Sequence, residues 1–150
     1  MAQTLSNLLV HIVFSTKGRT EWITEDIRSD LYPYVGGIIR EMRGRALAIG
    51  GMKEHMHLLT RVAHSSSVSE VVRVVKSNSS GWIHKTWRSH AAFAWQEGYG
   101  AFSVSASNVQ RVTNYILNQE KHHGKRSFKE EFIEFLQENE VQYDERYLWD

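Results

Sequence analysis

Apolar residues recur along the chain with two different periods, and these periods predict its strands and helices. From Leu5 to Ser15 two overlapping apolar sets alternate, which is typical of a strand covered on both faces. Alternation returns in three later segments, 46–49, 52–62 and 102–104. Helical spacing after capping residues predicts helices that begin near Thr24, Ser67, Asn108 and Ser127.

The order of these elements predicts the fold class. Strands interleaved with helices on one antiparallel sheet form an α+β sandwich of the ferredoxin-like, or RRM-like, type. We expect one domain over residues 1–150, in which residues 127–150 are an acidic C-terminal helix and tail. Two interruptions are also expected: Pro33 should kink or break the first helix, and Gly50-Gly51 should form a tight turn or bulge.

Composition narrows the class of protein. The 150 residues contain no cysteine, which excludes disulfides, thiolate metal sites and cysteine nucleophiles. The sequence shows neither an apolar run of membrane-spanning length nor a signal peptide. We therefore expect a cytoplasmic protein with no membrane partner.

Charge is divided unevenly along the chain. Residues 127–150 contain 8 acids and 2 bases, a net charge of −6, so residues 1–126, with 9 acids and 16 bases, carry +7. A basic body suits a protein that binds a phosphate backbone, although a charged, solvated surface explains the same numbers equally well. On the first interpretation, the residues that contact nucleic acid are Lys17, Arg19, Arg73, Lys76 and Arg111.

His55 and His57 supply the first candidate chemistry. They stand two residues apart in a predicted strand, so both imidazoles lie on one face of the sheet. Two imidazoles are half of a site for zinc, copper, iron, nickel or manganese, but two ligands alone hold no ion well. Because the chain contains 8 histidines, a His-x-His pair is a weak signal until a third donor is found.

The helix that begins at Asn108 offers such a donor. Its residues Arg111, Tyr115, Gln119 and His122 share one face. If this helix covers the free side of the sheet, the carbonyl oxygen of Gln119 completes a three-ligand site, and Tyr115 lies one turn away. A nucleophile and a Lewis acid then stand together.

Several motifs together resemble the single-tyrosine HUH transposases, the small enzymes of single-stranded insertion sequences and their repeat-associated (REP) relatives. The motifs are Gly50-Gly51 with His55-Met56-His57-Leu58-Leu59, then Trp95-Gln96-Glu97-Gly98-Tyr99-Gly100-Ala101-Phe102-Ser103-Val104-Ser105, then Tyr115-Ile116-Leu117-Asn118-Gln119 with His122-His123. The opening His11-Ile12-Val13-Phe14-Ser15-Thr16-Lys17 is also similar to that family, so the likeness covers nearly the whole chain.

The resemblance implies an enzyme that cleaves and rejoins single-stranded DNA at hairpin-flanked ends. Tyr115 would form a 5′-phosphotyrosine and release a 3′-hydroxyl, with Mg²⁺ or Mn²⁺ held by His55, His57 and Gln119. The resemblance also implies a homodimer, in which the Tyr115 helix can reach across to the histidines of the second copy. Glu54 stands where the family is expected to have aspartate.

Two other functions stay open on the sequence. A non-mobile HUH nuclease, such as a replication initiator or a relaxase, shares the histidine pair and the tyrosine. A regulatory protein that binds DNA or RNA hairpins would use the sheet without cutting. The proton acceptor for Tyr115 is open as well, with Glu54 and His122 as candidate accessory residues.

Overall fold

The sheet at the centre of the molecule is antiparallel throughout. The structure, a computed structural model, describes residues 2–150 apart from the side chains of His122 and His123. Within that part of the chain the sheet has four strands in the order β2-β3-β1-β4. They are β1 Leu8–Ser15, β2 Arg45–Met52, β3 His55–Val62 and β4 Gly100–Ser103. β1 is an interior strand, as its two-sided apolar pattern predicts.

Helices cover both faces of this sheet. α1 Glu25–Glu41 and α2 Val68–Thr86 pack on one face. α3 Val109–Leu117, α4 Gln119–His123 and α5 Phe128–Glu138 follow later in the chain, and α3 and α5 pack on the other face. The predicted α+β sandwich is therefore confirmed. None of the described helices is long and apolar enough to cross a membrane.

The first face of the sheet carries the larger core. Four side chains of β1 and β3 are completely buried in this core with residues of α1 and α2, and each contributes about 1.5–3 kcal/mol to folding. The strand residues are Ile12, Phe14, Met56 and Leu58. This layer holds the sheet rigid beneath the opposite face.

The second face carries α3, α5 and the end of the chain. α5 packs on the sheet through Phe128, Phe132 and Leu136, while Ile116 of α3 packs on β2 and β3. In the acidic tail, the Trp149 ring lies 6.0 Å from that of Phe132. The acidic segment is therefore attached to the sheet, and its last tryptophan packs on the protein.

The helix does not break at Pro33, one of the two outcomes predicted there, and α1 continues through this residue to Glu41. A proline in a helix interior removes one hydrogen bond and costs about 3 kcal/mol. Five inward side chains of α1 are buried and together offset that loss. They are Ile27, Leu31, Val35, Ile38 and Ile39.

Two boundaries also differ from the prediction. The chain turns at 53–54, and Gly50-Gly51 lie inside β2. Each glycine has a different structural reason. A Cβ on Gly50 would lie 2.2 Å from the carbonyl oxygen of Ile116, and Gly51 has a φ of +154°, which favours glycine. The helix predicted from Asn108 onward is divided at Asn118 into α3 and α4.

Candidate active site

His55 and His57 lie side by side on the face of β3 that α3 and α5 cover. Both side chains are completely buried, and their ring centroids are 5.1 Å apart. Phe128 of α5 stacks on the His55 ring with 4.4 Å between centroids. Packing therefore fixes this imidazole and keeps water away from its face.

The Nδ1 atom of each histidine has a partner behind it. Nδ1 of His55 lies 2.7 Å from Oε1 of Glu54, and Nδ1 of His57 lies 2.8 Å from Nε2 of His11. Burial, with a further contribution from His57, lowers the pKa of His11 to about 3, so the His11 ring is neutral. Such partners fix the orientation of both imidazoles and direct their Nε2 atoms away from Glu54 and His11.

Gln119 reaches His55 from the start of α4. Its Oε1 lies 3.0 Å from Nε2 of His55, and its Nε2 donates to the carbonyl oxygen of Tyr115 at 3.4 Å, which sets the orientation of the amide. A neutral His55 ring that donates from Nδ1 to Glu54 has only a lone pair on Nε2. That lone pair and the amide oxygen of Gln119 are both ligand atoms of the kind that a divalent cation binds.

Glu131 completes the cluster, and it is not among the residues predicted from the sequence. It is completely buried in α5, and its Oε1 lies 3.0 Å from Nε2 of His57 and 3.6 Å from Nε2 of His55. The sequence does contain a signal, because Glu131 stands three residues after Phe128 and four before Phe135, on the apolar stripe of α5. A carboxylate at such a position is rarely buried unless it is paired or binds a metal.

Tyr115 projects from α3 toward the same cluster. Its hydroxyl donates a hydrogen bond to Oε2 of Glu131 and accepts one from Nη2 of Arg126 at 3.1 Å. Its ring meets that of His57 edge to face, with 5.9 Å between centroids. Burial raises the pKa of Tyr115 and the carboxylate of Glu131 raises it further, so the hydroxyl keeps its proton in this arrangement.

The donor atoms of the cluster fit a divalent cation. One ligand atom each from His55, His57 and Glu131 lie within 4.8 Å of one another, and Gln119 adds an amide oxygen beside His55. Carboxylate and amide oxygens suit magnesium and manganese, and imidazole nitrogens suit divalent transition metals. The candidate metal site therefore has four side chains, one more than the sequence predicts.

Arg111 is the predicted nucleic-acid contact that lies nearest to this chemistry in the chain. It stands one helical turn before Tyr115. Its side chain lines a cavity that is also lined by Tyr115 and Glu131. Lys17 is exposed after β1, Arg73 forms an exposed ion pair within α2, and the Arg19 guanidinium lies 5.4 Å from the centre of a tail tryptophan ring. None of these last three residues lines that cavity. The side chain of His122, the other predicted accessory residue besides Glu54, lies outside the described residues.

Lys76, the fifth predicted contact, has a structural role. Its Nζ donates to three backbone carbonyl oxygens in the loop before β4, at 2.8 Å, 3.1 Å and 2.8 Å. The three acceptors are the carbonyl oxygens of Gln96, Glu97 and Gly98. The Lys76 ammonium therefore stabilises the loop at 96–98, which is part of the Trp95 to Ser105 motif.

Comparison with known proteins shows that the chain belongs to the IS200-like transposase family. The sequence model of the family described as "Transposase IS200 like" matches residues 4–119, which is most of the chain. That range contains His55, His57, Tyr115 and Gln119 and ends before α5. No curated protein sequence matched this chain.

Two solved structures share the fold. The crystal structure of a candidate transposase from Deinococcus radiodurans R1 has a TM-score of 0.60 and 19% identity, over 79% of this chain and 95% of that one. The structure of a REP-associated tyrosine transposase bound to a REP hairpin has a TM-score of 0.58 and 13% identity, over 77% of this chain and 70% of that one. The family match confirms the resemblance that the motifs indicate, and the two structures confirm the fold.

Proposed function

We propose that this transposase cleaves and rejoins single-stranded DNA at hairpin-flanked ends, with Tyr115 as the nucleophile. One observation carries the proposal: the Tyr115 hydroxyl donates to Glu131, whose other oxygen lies 3.0 Å from His57. A protein that only binds hairpins has no use for a nucleophile beside metal donors, whereas a phosphoryl transferase does. The REP hairpin in one solved relative supports a hairpin as the substrate.

The proposed reaction exchanges one phosphodiester for another. The hydroxyl oxygen of Tyr115 bonds to phosphorus, the bond from phosphorus to the 3′-oxygen breaks, and the 5′ end stays on the enzyme as a phosphotyrosine. The phenol proton passes to Oε2 of Glu131, which already accepts its hydrogen bond. The 3′-oxygen takes a proton from solvent and leaves as a hydroxyl. Because the phosphotyrosine keeps the bond energy, a 3′-hydroxyl can reverse the step and join strands without ATP.

We assign Mg²⁺ or Mn²⁺ to the four-residue cluster. Its members are His55, His57, Gln119 and Glu131. These residues would hold the cation, and its charge would polarise the scissile phosphate and stabilise the negative charge that develops on oxygen. The protein needs such help, because burial and a nearby carboxylate raise the pKa of Tyr115 above its ordinary value. Glu54 and His11 hold the imidazoles in position for this role.

We further propose that two subunits act together. Excision of an element requires two DNA ends to be cut, and each chain offers one Tyr115. Both β2 and β4 are edge strands of the sheet over residues 2–150, and an edge strand is where a sheet can pair with a second copy.

A covalent-adduct assay tests the proposal. The protein is incubated with Mg²⁺ or Mn²⁺ and a labelled library of single-stranded oligonucleotides, each carrying a hairpin flanked by randomised segments. We expect a protein–DNA band that survives denaturation, depends on the cation and maps to Tyr115 by mass spectrometry. Hairpin binding without any covalent band would favour the regulatory alternative, and a band that maps elsewhere would exclude Tyr115 as the nucleophile.

A further inference from the structure

Arg126 contacts the reacting oxygen of Tyr115, although neither the sequence motifs nor the matched family range includes it. It lies between α4 and α5, directly before Ser127, whose hydroxyl accepts from the backbone N–H of Glu130 and caps α5. Its Nη2 donates to the Tyr115 hydroxyl at 3.1 Å, and its Nη1 pairs with Glu134. The capped start of α5 and the contacts with Tyr115 and Glu134 therefore fix the position of the Arg126 guanidinium.

The guanidinium also faces a cavity into which a phosphate could enter. This cavity has a volume of about 220 Å³ and is lined by Tyr115 together with Arg111 and Arg126. The Arg126 side chain is 26% exposed and that of Glu134 is 49% exposed, so solvent reaches the ion pair from the cavity. The nucleophile and these two cations thus share one open space with the carboxylates of Glu131, Glu134 and Glu138.

The geometry of attack brings the substrate within reach of Arg126. A nucleophilic oxygen in a reactive complex stands about 3–3.5 Å from the atom that it attacks. A guanidinium nitrogen 3.1 Å from the Tyr115 oxygen is then close to the non-bridging oxygens of the attacked phosphate. Arginine presents several N–H donors in a rigid plane that matches phosphate geometry. One N–H can therefore stay hydrogen-bonded to the Tyr115 hydroxyl while others donate to phosphate oxygens.

We propose that Arg126 is a catalytic residue that binds a non-bridging oxygen of the phosphodiester attacked by Tyr115. It holds the phosphate in line with the hydroxyl and stabilises the negative charge that grows on phosphate oxygen in the transition state. When the phosphate binds the guanidinium, it replaces the half-exposed carboxylate of Glu134, which then becomes hydrated by solvent. The inference rests on the proposed function only in that Tyr115 is the nucleophile.

A purely structural role would have a different signature. If Arg126 served only to hold α5 through its ion pair, removal of either partner would have the same effect. Glu134→Gln breaks that pair and leaves Arg126 intact, so it is the matched control for Arg126→Gln. Partly exposed ion pairs add little to stability, so Glu134→Gln should keep a nearly unchanged thermal unfolding temperature. Arg126→Gln also loses the hydrogen bond to Tyr115 and should unfold only a few degrees lower.

The test compares charged and neutral phosphates. An oligonucleotide recovered from the covalent-adduct assay is synthesised with either its natural scissile phosphate or an uncharged methylphosphonate there. With the natural phosphate, Arg126→Gln should slow adduct formation about a hundred- to a thousandfold, whereas Glu134→Gln should keep most of the rate. With the methylphosphonate, the loss caused by Arg126→Gln should shrink to less than about tenfold, because the charge that Arg126 binds is missing. Arg126→Lys, which keeps the charge without the planar fork, should lie between wild type and Arg126→Gln.

Each other outcome decides against the inference. Arg126→Gln could lower the rate of adduct formation equally with both phosphates, or by the same factor as Glu134→Gln. Either result would show that Arg126 acts through the packing of α5, and it would leave the Tyr115 mechanism intact. Absence of any adduct with the wild-type protein across the library would instead overturn the proposed function, and this inference with it.

Discussion

The hydroxyl of Tyr115 on α3 donates a hydrogen bond to Glu131 on α5, sixteen residues later in the chain. The same carboxylate lies 3.0 Å from Nε2 of His57. One buried side chain therefore connects the candidate nucleophile to the candidate metal donors. The family match ends at residue 119, so this connection is made by a helix outside the matched range.

Removal of the Tyr115 hydroxyl should stop the chemistry and preserve binding. We expect Tyr115→Phe to form no covalent adduct and to bind hairpin DNA with wild-type affinity, because the ring still packs against His57 and Phe135. Stability should fall by about 1 kcal/mol, since Glu131 and Arg126 each lose a hydrogen-bond partner. Tyr147→Phe, at a side chain that is 65% exposed, is the control. Normal adduct formation by Tyr115→Phe would exclude Tyr115 as the nucleophile.

Loss of the Glu131 carboxylate should weaken metal binding independently of DNA. We expect Glu131→Gln and Gln119→Ala each to lower the affinity for Mn²⁺ at least about tenfold, as measured by calorimetry or by the EPR signal of free Mn²⁺. Glu130→Gln, one residue earlier and exposed, should bind Mn²⁺ like the wild type. EDTA should abolish cleavage by the wild type, and raised Mn²⁺ should partly restore cleavage by Gln119→Ala. The same Mn²⁺ affinity in all variants would contradict the four-residue site.

A methyl group on Gly50 should displace the tyrosine helix. Its Cβ would lie 2.2 Å from the backbone oxygen of Ile116, which cannot move without α3. We expect Gly50→Ala to cost about 1–3 kcal/mol of unfolding free energy and to reduce adduct formation. Gly81→Ala is the matched control in α2, where a new Cβ meets no atom within 4 Å. That change should stabilise the protein by about 0.5–1 kcal/mol, and thermal unfolding measures both effects. An unfolding temperature in Gly50→Ala at or above that of the wild type would refute the close approach.

Lys76 should matter for stability and not for DNA affinity. Lys76→Met leaves three loop carbonyls without their shared donor, at a cost of about 1–3 kcal/mol. Hairpin affinity should stay close to that of the wild type. A large loss of affinity in a variant that keeps its unfolding temperature would support the prediction that Lys76 contacts nucleic acid.

The same residue should make stability depend on alkaline pH. Burial lowers the pKa of Lys76 to about 8 in the folded protein, from an ordinary value of 10.5, although three carbonyls accept from its ammonium. Between these two values the unfolded chain binds more protons at this side chain than the folded protein does. The unfolding free energy of the wild type should therefore rise, relative to that of Lys76→Met, as pH increases through this window. Denaturant titrations of both proteins at several pH values measure the difference, and a constant difference would contradict the lowered pKa.

The nucleophile and the imidazoles should act within one chain. Tyr115 contacts His57 of its own chain, with 5.9 Å between ring centroids. A mixture of Tyr115→Phe and His57→Ala proteins should therefore recover no cleavage, even where heterodimers are demonstrated by native mass spectrometry. Recovered cleavage would show that the Tyr115 helix crosses to the second copy when DNA binds.

The elements and several site residues follow from the sequence because their signals are local. Alternation over a few residues puts His55 and His57 on one face of β3, and helical spacing puts Tyr115 and Gln119 on one side of the segment after Asn108. The sequence also predicts the cap of α5, where the Ser127 hydroxyl accepts from the Glu130 N–H at 3.2 Å. Local rules are weaker at boundaries, as the turn at 53–54 shows, because burial and close packing decide where each element ends.

The remaining parts of the site depend on how distant elements pack. Glu131 is one of eight acids in the last 24 residues, and its sequence neighbourhood does not say that it will meet two histidines more than seventy positions earlier. That meeting requires α5 to lie on the sheet, which is achieved by Phe128, Phe132 and Leu136. The same docking brings Arg126 to Tyr115. The chain by itself therefore determines which side chains share a face, whereas only the tertiary packing of apolar surfaces decides which faces meet, because burial acts between residues far apart in the chain.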